Sequence, residues 1–341
     1  MKQILFNFCW ISLMISPCSL QVNSFVIQLN IGGRIKLLNS KKKVKAKVMS
    51  DKQELSIINE GFTKEIVSIK NNGTLLSTTI YPKKGAETII LLHGGPAVPD
   101  DMIEVVNILK ENLQVITFEQ RGVGNSNCGK CKFTMQDYIS DIDAIAKYFG
   151  LKSFHLFGHS WGGLYAQIYA EKKPENIKSL FLCSPSSGTN ELWKKTEKEV
   201  MSFNKKNTSN REWLKMGWNS MLGMLGSSKA YQKLFKQVLT NYHKDYTNIE
   251  ITDEFLNKVN AKPINKTRKE IIKYKPLTRF ENPTYPIIIT YGDNDIYEES
   301  KKELMNRFPK VKVEIIKKCG HIPWKHNPTE FKDVLLKFYK L

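Results

Sequence analysis

Ser160 stands in Gly158-His159-Ser160-Trp161-Gly162, where an apolar run from Phe154 to Phe157 breaks and an amphipathic run begins. Glycines two places before and two after the serine permit a sharp strand-to-helix turn that lifts the hydroxyl clear of a sheet. A serine hydroxyl is a weak nucleophile until a base takes its proton, and the base needs an acid to orient it. Downstream lie Gly292-Asp293-Asn294-Asp295, at the end of one apolar run, and Gly320-His321, after the next. Serine, then carboxylate, then histidine is a chain order suited to attack on an ester or amide carbonyl through a covalent acyl intermediate. Asp295 is favoured over Asp293, because the loop needs a few residues beyond the strand to reach an imidazole; Asp293 would otherwise stabilise the turn. Of the other histidines, His155 on the nucleophile strand reads as structural, His159 as packed beside the serine, His243 as an unremarkable lid residue, and His326 as exposed on the run into the last helix.

Attack turns the carbonyl oxygen into an oxyanion, which needs preorganised donors. The Trp161 N–H would open the helix after the serine. In His93-Gly94-Gly95-Pro96, Gly95 has an N–H whereas Pro96 has none. Gly95 and Trp161 are therefore the candidate oxyanion pair. Chemistry of this kind needs no cofactor and no metal. Cys128-Gly129-Lys130-Cys131 could form half a zinc site or a disulfide, and the lack of a second C-x-x-C or a paired-histidine motif disfavours zinc. Cys183, in an apolar run, reads as inert core.

The elements that must hold these residues alternate. A hairpin turns at Asn71-Asn72-Gly73, between Glu65 and Tyr81. Apolar strands follow at Thr88 to Leu92, Gln114 to Phe118, the nucleophile strand, Ser179 to Cys183, Ile287 to Tyr291 and Val311 to Ile316. Helical spacing separates them at Asp100 to Glu111, Thr134 to Phe149, the stretch after Ser160, and Ser300 to Phe308, with a closing helix from Thr329 to Tyr339. Thr134 is the N-cap candidate of its helix, with Asp141 and Asp143 placed outward. The fold class expected is α/β, a mostly parallel central sheet with helices on both faces. Residues 190–282 break the alternation and read as a helical lid inserted after the sixth strand. Its Trp193, Trp213 and Trp218 read as lid core rather than substrate contacts.

His93-Gly94-Gly95-Pro96, Glu119-Gln120-Arg121-Gly122-Val123-Gly124-Asn125-Ser126, Gly158-His159-Ser160-Trp161-Gly162-Gly163 and Gly320-His321 resemble the proline iminopeptidase branch of the α/β-hydrolase fold, from about Gly61 to the C-terminus. The resemblance implies metal-free release of an N-terminal residue, often proline, from small peptides. A carboxylesterase or lipase-like hydrolase of small apolar acyl esters is the alternative, and a non-catalytic binding protein on this scaffold a third. The resemblance also implies acidic lid residues that hold the substrate's free amine. Here the lid carries 19 Lys or Arg against 10 Asp or Glu, with Glu191, Glu197, Glu199 and Glu212 among the acids. Glu119 stands where the family usually has Asp.

The 341-residue chain has a formal charge of +19, but 46 of its 52 basic residues are lysines, scattered through every segment. Nucleic-acid readers lean on arginine's planar fork, so nucleic acid is excluded as a partner and weak attraction to anionic membranes is left open. The partner expected is a small peptide or ester substrate. Residues 1–18 form a signal-like or anchor segment with an apolar run from Ile4 to Ile15. A basic extension (19–60) follows, then the core (61–189 and 283–341) enclosing the lid (190–282), with the first recognisable element near Gly61. Export or membrane attachment is favoured, and a cytoplasmic location would follow if the functional chain starts near Met49.

Overall fold

The computed structural model describes residues 18–22, 25–30, 34–38, 45–48, 55–59 and 62–341 apart from Pro99, Asp101, Asn127 and 247–249, with side chains from Lys64 onward. The chain divides into two compact units, Met1–Glu65 and Ile66–Leu341. The first holds an antiparallel sheet of Cys18–Val22, Phe25–Asn30 and Arg34–Leu38, and a hairpin of Lys45–Val48 with Leu55–Asn59. The sequence reading placed no element before Gly61. Runs such as Phe25-Val26-Ile27 carry the β-branched and aromatic residues that suit strands. The apolar stretch Ile4 to Ile15 lies outside the described residues.

The second unit is built on β1 (Phe62–Asn71), β2 (Thr74–Tyr81), β3 (Thr88–Leu92), β4 (Gln114–Phe118), β5 (Phe154–His159), β6 (Ile177–Cys183), β7 (Ile287–Gly292) and β8 (Val313–Ile316). Their order in the sheet is 8-7-6-5-3-4-2-1. Strands β3 to β8 run parallel, whereas β2 lies antiparallel to β4. The β1–β2 turn works because Asn72 and Gly73 both accept positive φ (41° and 79°), the geometry of a tight hairpin.

Successive residues of a strand face opposite sides of a sheet. Phe154 and Leu156 of β5 and Ile90 and Leu92 of β3 join one buried layer, whereas Phe157, Ile89 and Leu91 join the other. Helices α2 (Met135–Tyr148) and α3 (Trp161–Lys172) cover the first layer; α1 (Ile103–Leu109) and α11 (Pro328–Tyr339) cover the second. The continuously apolar strands are therefore buried on both faces, as a parallel sheet requires.

Thr134 caps α2 in a reciprocal capping box with Asp137. Asp141 does not point outward as its spacing suggested. It is buried and takes Arg121 bidentately, at 2.8 Å from Nε and 2.6 Å from Nη2, while Asn71 donates to it as well. A fully buried guanidinium needs a carboxylate beside it, and that demand overrides the helix-face reading. Asp143 is half-buried and accepts from the Tyr169 hydroxyl. Cys128 and Cys131 form a disulfide, and Cys183 is buried and free.

Between β6 and β7 the alternation stops. Among the described residues, five helices occupy the interval: α4 (Glu191–Lys206), α5 (Asn210–Met224), α6 (Ser228–Tyr242), α7 (Asp253–Asn257) and α8 (Ala261–Lys273). Helices α9 (Glu299–Arg307) and α10 (Pro323–His326) complete the list of described helices. No described helix is long and apolar enough to cross a membrane.

Candidate active site

The β5–α3 turn puts Ser160 at φ 54° and ψ −117°, a conformation few non-glycine residues adopt. It is held by the absence of side chains around it. A Cβ on Gly158 would lie 2.3 Å from the Gly162 carbonyl oxygen, and one on Gly162 would lie 2.1 Å from the Leu92 oxygen. The Ser160 N–H donates to the Cys183 carbonyl, which ties the turn to the end of β6.

His321, after β8, brings its Nε2 to 3.0 Å from Ser160 Oγ and its Nδ1 to 2.9 Å from Asp295 Oδ1. An ionised carboxylate only accepts, so Nδ1 carries the proton and Nε2 is left to receive one from the serine. Burial alone would push the Asp295 pKa up. Its contacts with His321, with the Ser184 hydroxyl at 2.6 Å and with the Tyr297 N–H outweigh burial and hold it below the ordinary carboxylate value. Asp293 does something else: its two oxygens accept from the Lys318 and Cys319 N–H groups at 2.8 and 2.9 Å, which pins the loop that carries His321. Of the two carboxylates, Asp295, the one that the spacing favours, meets the imidazole.

The loop after β3 lies against the serine. A Cβ on Gly94 would sit 3.4 Å from Ser160 Cβ, and Gly95 adopts φ 129°, where any Cβ would strike the Ala97 and Val98 nitrogens. Trp161 is the first residue of α3, so its N–H belongs to the group at a helix start that has no partner within the helix. Gln120 links the two segments that carry the oxyanion candidates. It donates from Nε2 to the His93 carbonyl and accepts from Trp161 Nε1, each at 2.9 Å. The His93 ring donates from Nδ1 to the Gly94 carbonyl and accepts from the Gln120 N–H. Glu119, the departure from the usual Asp, accepts from the Asn125 N–H and closes the turn that Gly124 makes at φ 50°.

Several contacts had no signal in the sequence. The buried Tyr297 hydroxyl lies 3.4 Å from Ser160 Oγ and 3.0 Å from Ser186 Oγ, and its ring stands edge-on to His321. His159 does more than pack: its Nε2 donates to the His321 carbonyl at 2.8 Å. His326 is half-buried rather than exposed. Its ring stacks on Tyr246, its Nδ1 accepts from the Gly320 N–H, and its Nε2 pairs with Nδ1 of His243, 2.9 Å away. His326 meets Tyr246 and His243 because the turn after α6 folds back over the loop after β8, and Tyr297 and His159 meet their partners where the loops after the core strands converge; spacing along a chain reports neither. Only Gln120, within a motif already singled out, could have been found earlier.

Burial holds His93 and His159 neutral, with pKa values lowered from 6.5 to about 4 and about 3. From pH 6.5 down toward those values the unfolded chain binds protons there that the folded chain excludes. Stability is therefore complete above the unfolded value and declines as pH falls, by about 1.4 kcal/mol per pH unit for each histidine. Urea midpoints should fall steadily from neutral pH to about pH 4.5, mostly above the carboxylate range. A flat profile over that interval would contradict these buried, neutral rings.

Above Ser160 lies a cavity of about 450 Å³, floored by Gly94, Gly95, Ser160 and His321 and walled mainly by apolar side chains of α4, α5 and α6. Trp193 is in that wall and stands edge-on to Trp161, so it is a cavity residue as well as lid core. Trp218 is neither, being 61% exposed. Among the four lid acids named above, Glu191 pairs with Lys194, Glu199 caps α9 through the N–H groups of Glu298, Glu299 and Ser300, and Glu212 caps α5 with Ser209. Only Glu197 reaches the cavity. Both its oxygens are held by Arg268, at 2.5 and 2.7 Å, and one also accepts from Trp193 Nε1.

Comparison with known proteins agrees with this architecture. The chain is 24% identical over 269 residues to a proline iminopeptidase of Lactobacillus delbrueckii subsp. bulgaricus, covering 72% of this chain and 88% of the relative. The solved proline iminopeptidase of Mycobacterium smegmatis superposes with a TM-score of 0.60 at 16% identity, over 81% of this chain and 97% of that one. The carboxylesterase CesB (YbfK) of Bacillus subtilis does so with a TM-score of 0.57 at 14% identity, over 81% and 91%. A family model described as the alpha/beta hydrolase fold matches residues 87–328, a span that begins just before β3 and takes in Ser160, Asp295 and His321. The chain belongs to the alpha/beta hydrolase fold family.

Proposed function

We propose that this protein is a serine hydrolase in which Ser160, His321 and Asp295 act together on an ester or amide carbonyl. The observation that carries the reading is the position of the His321 ring, between the Ser160 hydroxyl and the Asp295 carboxylate at the floor of a cavity. As Ser160 Oγ attacks, His321 Nε2 takes its proton and the Asp295 charge stabilises the imidazolium. The Trp161 and Gly95 N–H groups receive the oxyanion. On collapse of this intermediate, His321 returns the proton to the leaving group. Water, deprotonated by the same ring, then releases the acyl group from Ser160.

For the substrate, the cavity walls favour a small ester with an apolar, uncharged acyl group. A free substrate ammonium would need a carboxylate, and the lid carboxylate that reaches the cavity is held by Arg268. Aminopeptidase action of the proline iminopeptidase type is the second reading. The sequence relatives support it, as does Asp100, a carboxylate of the core loop at the cavity edge.

A panel of p-nitrophenyl esters beside aminoacyl-naphthylamides separates the two. Short apolar esters should be turned over with kcat/KM at least about tenfold above Pro-naphthylamide, as expected where Arg268 holds the lid carboxylate. The Arg268→Met variant, which releases Glu197, should narrow that ratio by raising turnover of the naphthylamide. A wild-type preference for Pro-naphthylamide would establish the peptidase reading instead.

A further inference from the structure

Leu214, Trp218, Met221 and Leu225 recur at the spacing of one helix face along α5 and the residue that follows it. All four point to solvent, between 38% and 79% exposed. Large apolar side chains ordinarily leave water where they can, so a continuous stripe of them marks a surface that meets something. The opposite side of α5 is already committed, with Met216 and Gly223 buried against the lid.

Two further observations say what the stripe meets. The exposed face of α5 carries Arg211 and Lys215, while the helix's one acid, Glu212, caps its own N-terminus on Ser209. Lys198, Lys205 and Lys206 of α4 are exposed as well, and the whole chain carries +19. An apolar stripe with a tryptophan and a cationic border matches an anionic lipid surface, where rings and aliphatic chains enter the headgroup boundary while lysines reach the phosphates. The stripe also runs into the cavity mouth. Met224, on the flank of α5, and Met201 of α4 line the cavity above Ser160 and are themselves more than half exposed.

We propose that the α5 face of the lid docks on anionic lipid–water interfaces and that substrate enters the cavity from that surface, between Met201 and Met224. Docking stands on the exposed face alone. Entry from the lipid side rests on the hydrolase reading above and deepens it, naming an amphiphilic ester as the substrate class.

The test is partition of the full-length protein onto vesicles of phosphatidylcholine mixed with phosphatidylglycerol, against phosphatidylcholine alone. Wild type and the Ser160→Ala variant should bind the anionic vesicles equally, more tightly than the neutral ones, and less as salt rises. The Trp218→Ser/Leu225→Ser double variant should partition at least about tenfold more weakly. Its thermal midpoint and its turnover of a dissolved short-chain ester should stay unchanged, since neither residue lines the cavity. Because every variant keeps the apolar stretch Ile4 to Ile15, the ratio between variants reads the lid alone. Equal partition of wild type and double variant would overturn the proposal. So would sedimentation showing that the stripe joins two copies of this chain with no vesicle binding. Absence of all ester turnover in the wild type would remove the ester reading and with it entry of an ester from the lipid side, and would leave the partition result standing.

Discussion

Replacing Ser160 with alanine should lower kcat on any accepted ester by about 10⁴-fold or more while changing KM little. On the proposed mechanism the attacking atom is lost, but the cavity walls and the Gly95 and Trp161 N–H groups proposed to receive the carbonyl remain. Alanine also removes the hydrogen bond to His321 Nε2 without introducing any new bulk at φ 54°. The strained backbone is held by the glycines around it, so the variant should fold as wild type does. A fluorophosphonate probe should label wild type at Ser160 and leave Ser160→Ala unlabelled. Equal labelling of both, or undiminished turnover by the variant, would place the nucleophile elsewhere and end the hydrolase mechanism.

The Gly162→Ala substitution, one methyl group, should cost about 3 kcal/mol of stability, at the upper end for an overpacked core. The added Cβ would stand 2.1 Å from the Leu92 carbonyl oxygen and 2.6 Å from that of His93, both backbone atoms at the end of a central strand. A flexible side chain could swing away. These oxygens cannot move without pulling β3 or the Gly94–Gly95 loop out of place. The variant should therefore show a much lower urea midpoint together with lost activity. Gly217→Ala provides the internal contrast. Nothing lies within 4 Å of that Cβ, and the site is an exposed helix interior, so alanine should stabilise by up to about 1 kcal/mol. A Gly162→Ala protein as stable as wild type would mean the turn is far looser than its geometry.

The strand–helix alternation was legible in the chain because buried parallel strands are short, unbroken apolar runs and their helices carry a three-to-four-residue period. Ser160 and His321 were legible for a related reason. Glycines at fixed offsets and positions just after apolar strands are local features, and this topology turns them into a shared edge. Asp295 and Asp293 were harder. Both sit in one four-residue loop, and only the meeting of that loop with residues 318–321 gives one carboxylate the imidazole and the other two backbone N–H groups. Asp141 misled because helix spacing knows nothing of a buried Arg121 arriving from another element.

By itself, then, the sequence determined the layer architecture, the positions of the candidate serine and histidine and the place of the helical insertion, since each depends on local pattern and chain order. Tertiary structure alone decided that Tyr297 reaches Ser160, that Glu197 is held by Arg268, and that Trp218 faces outward. Each of these depends on contacts between residues far apart along the chain. Tyr297 and Ser160 meet where the loops after β7 and β5 converge, and the rest follows from how the insertion packs, neither of which any periodicity records.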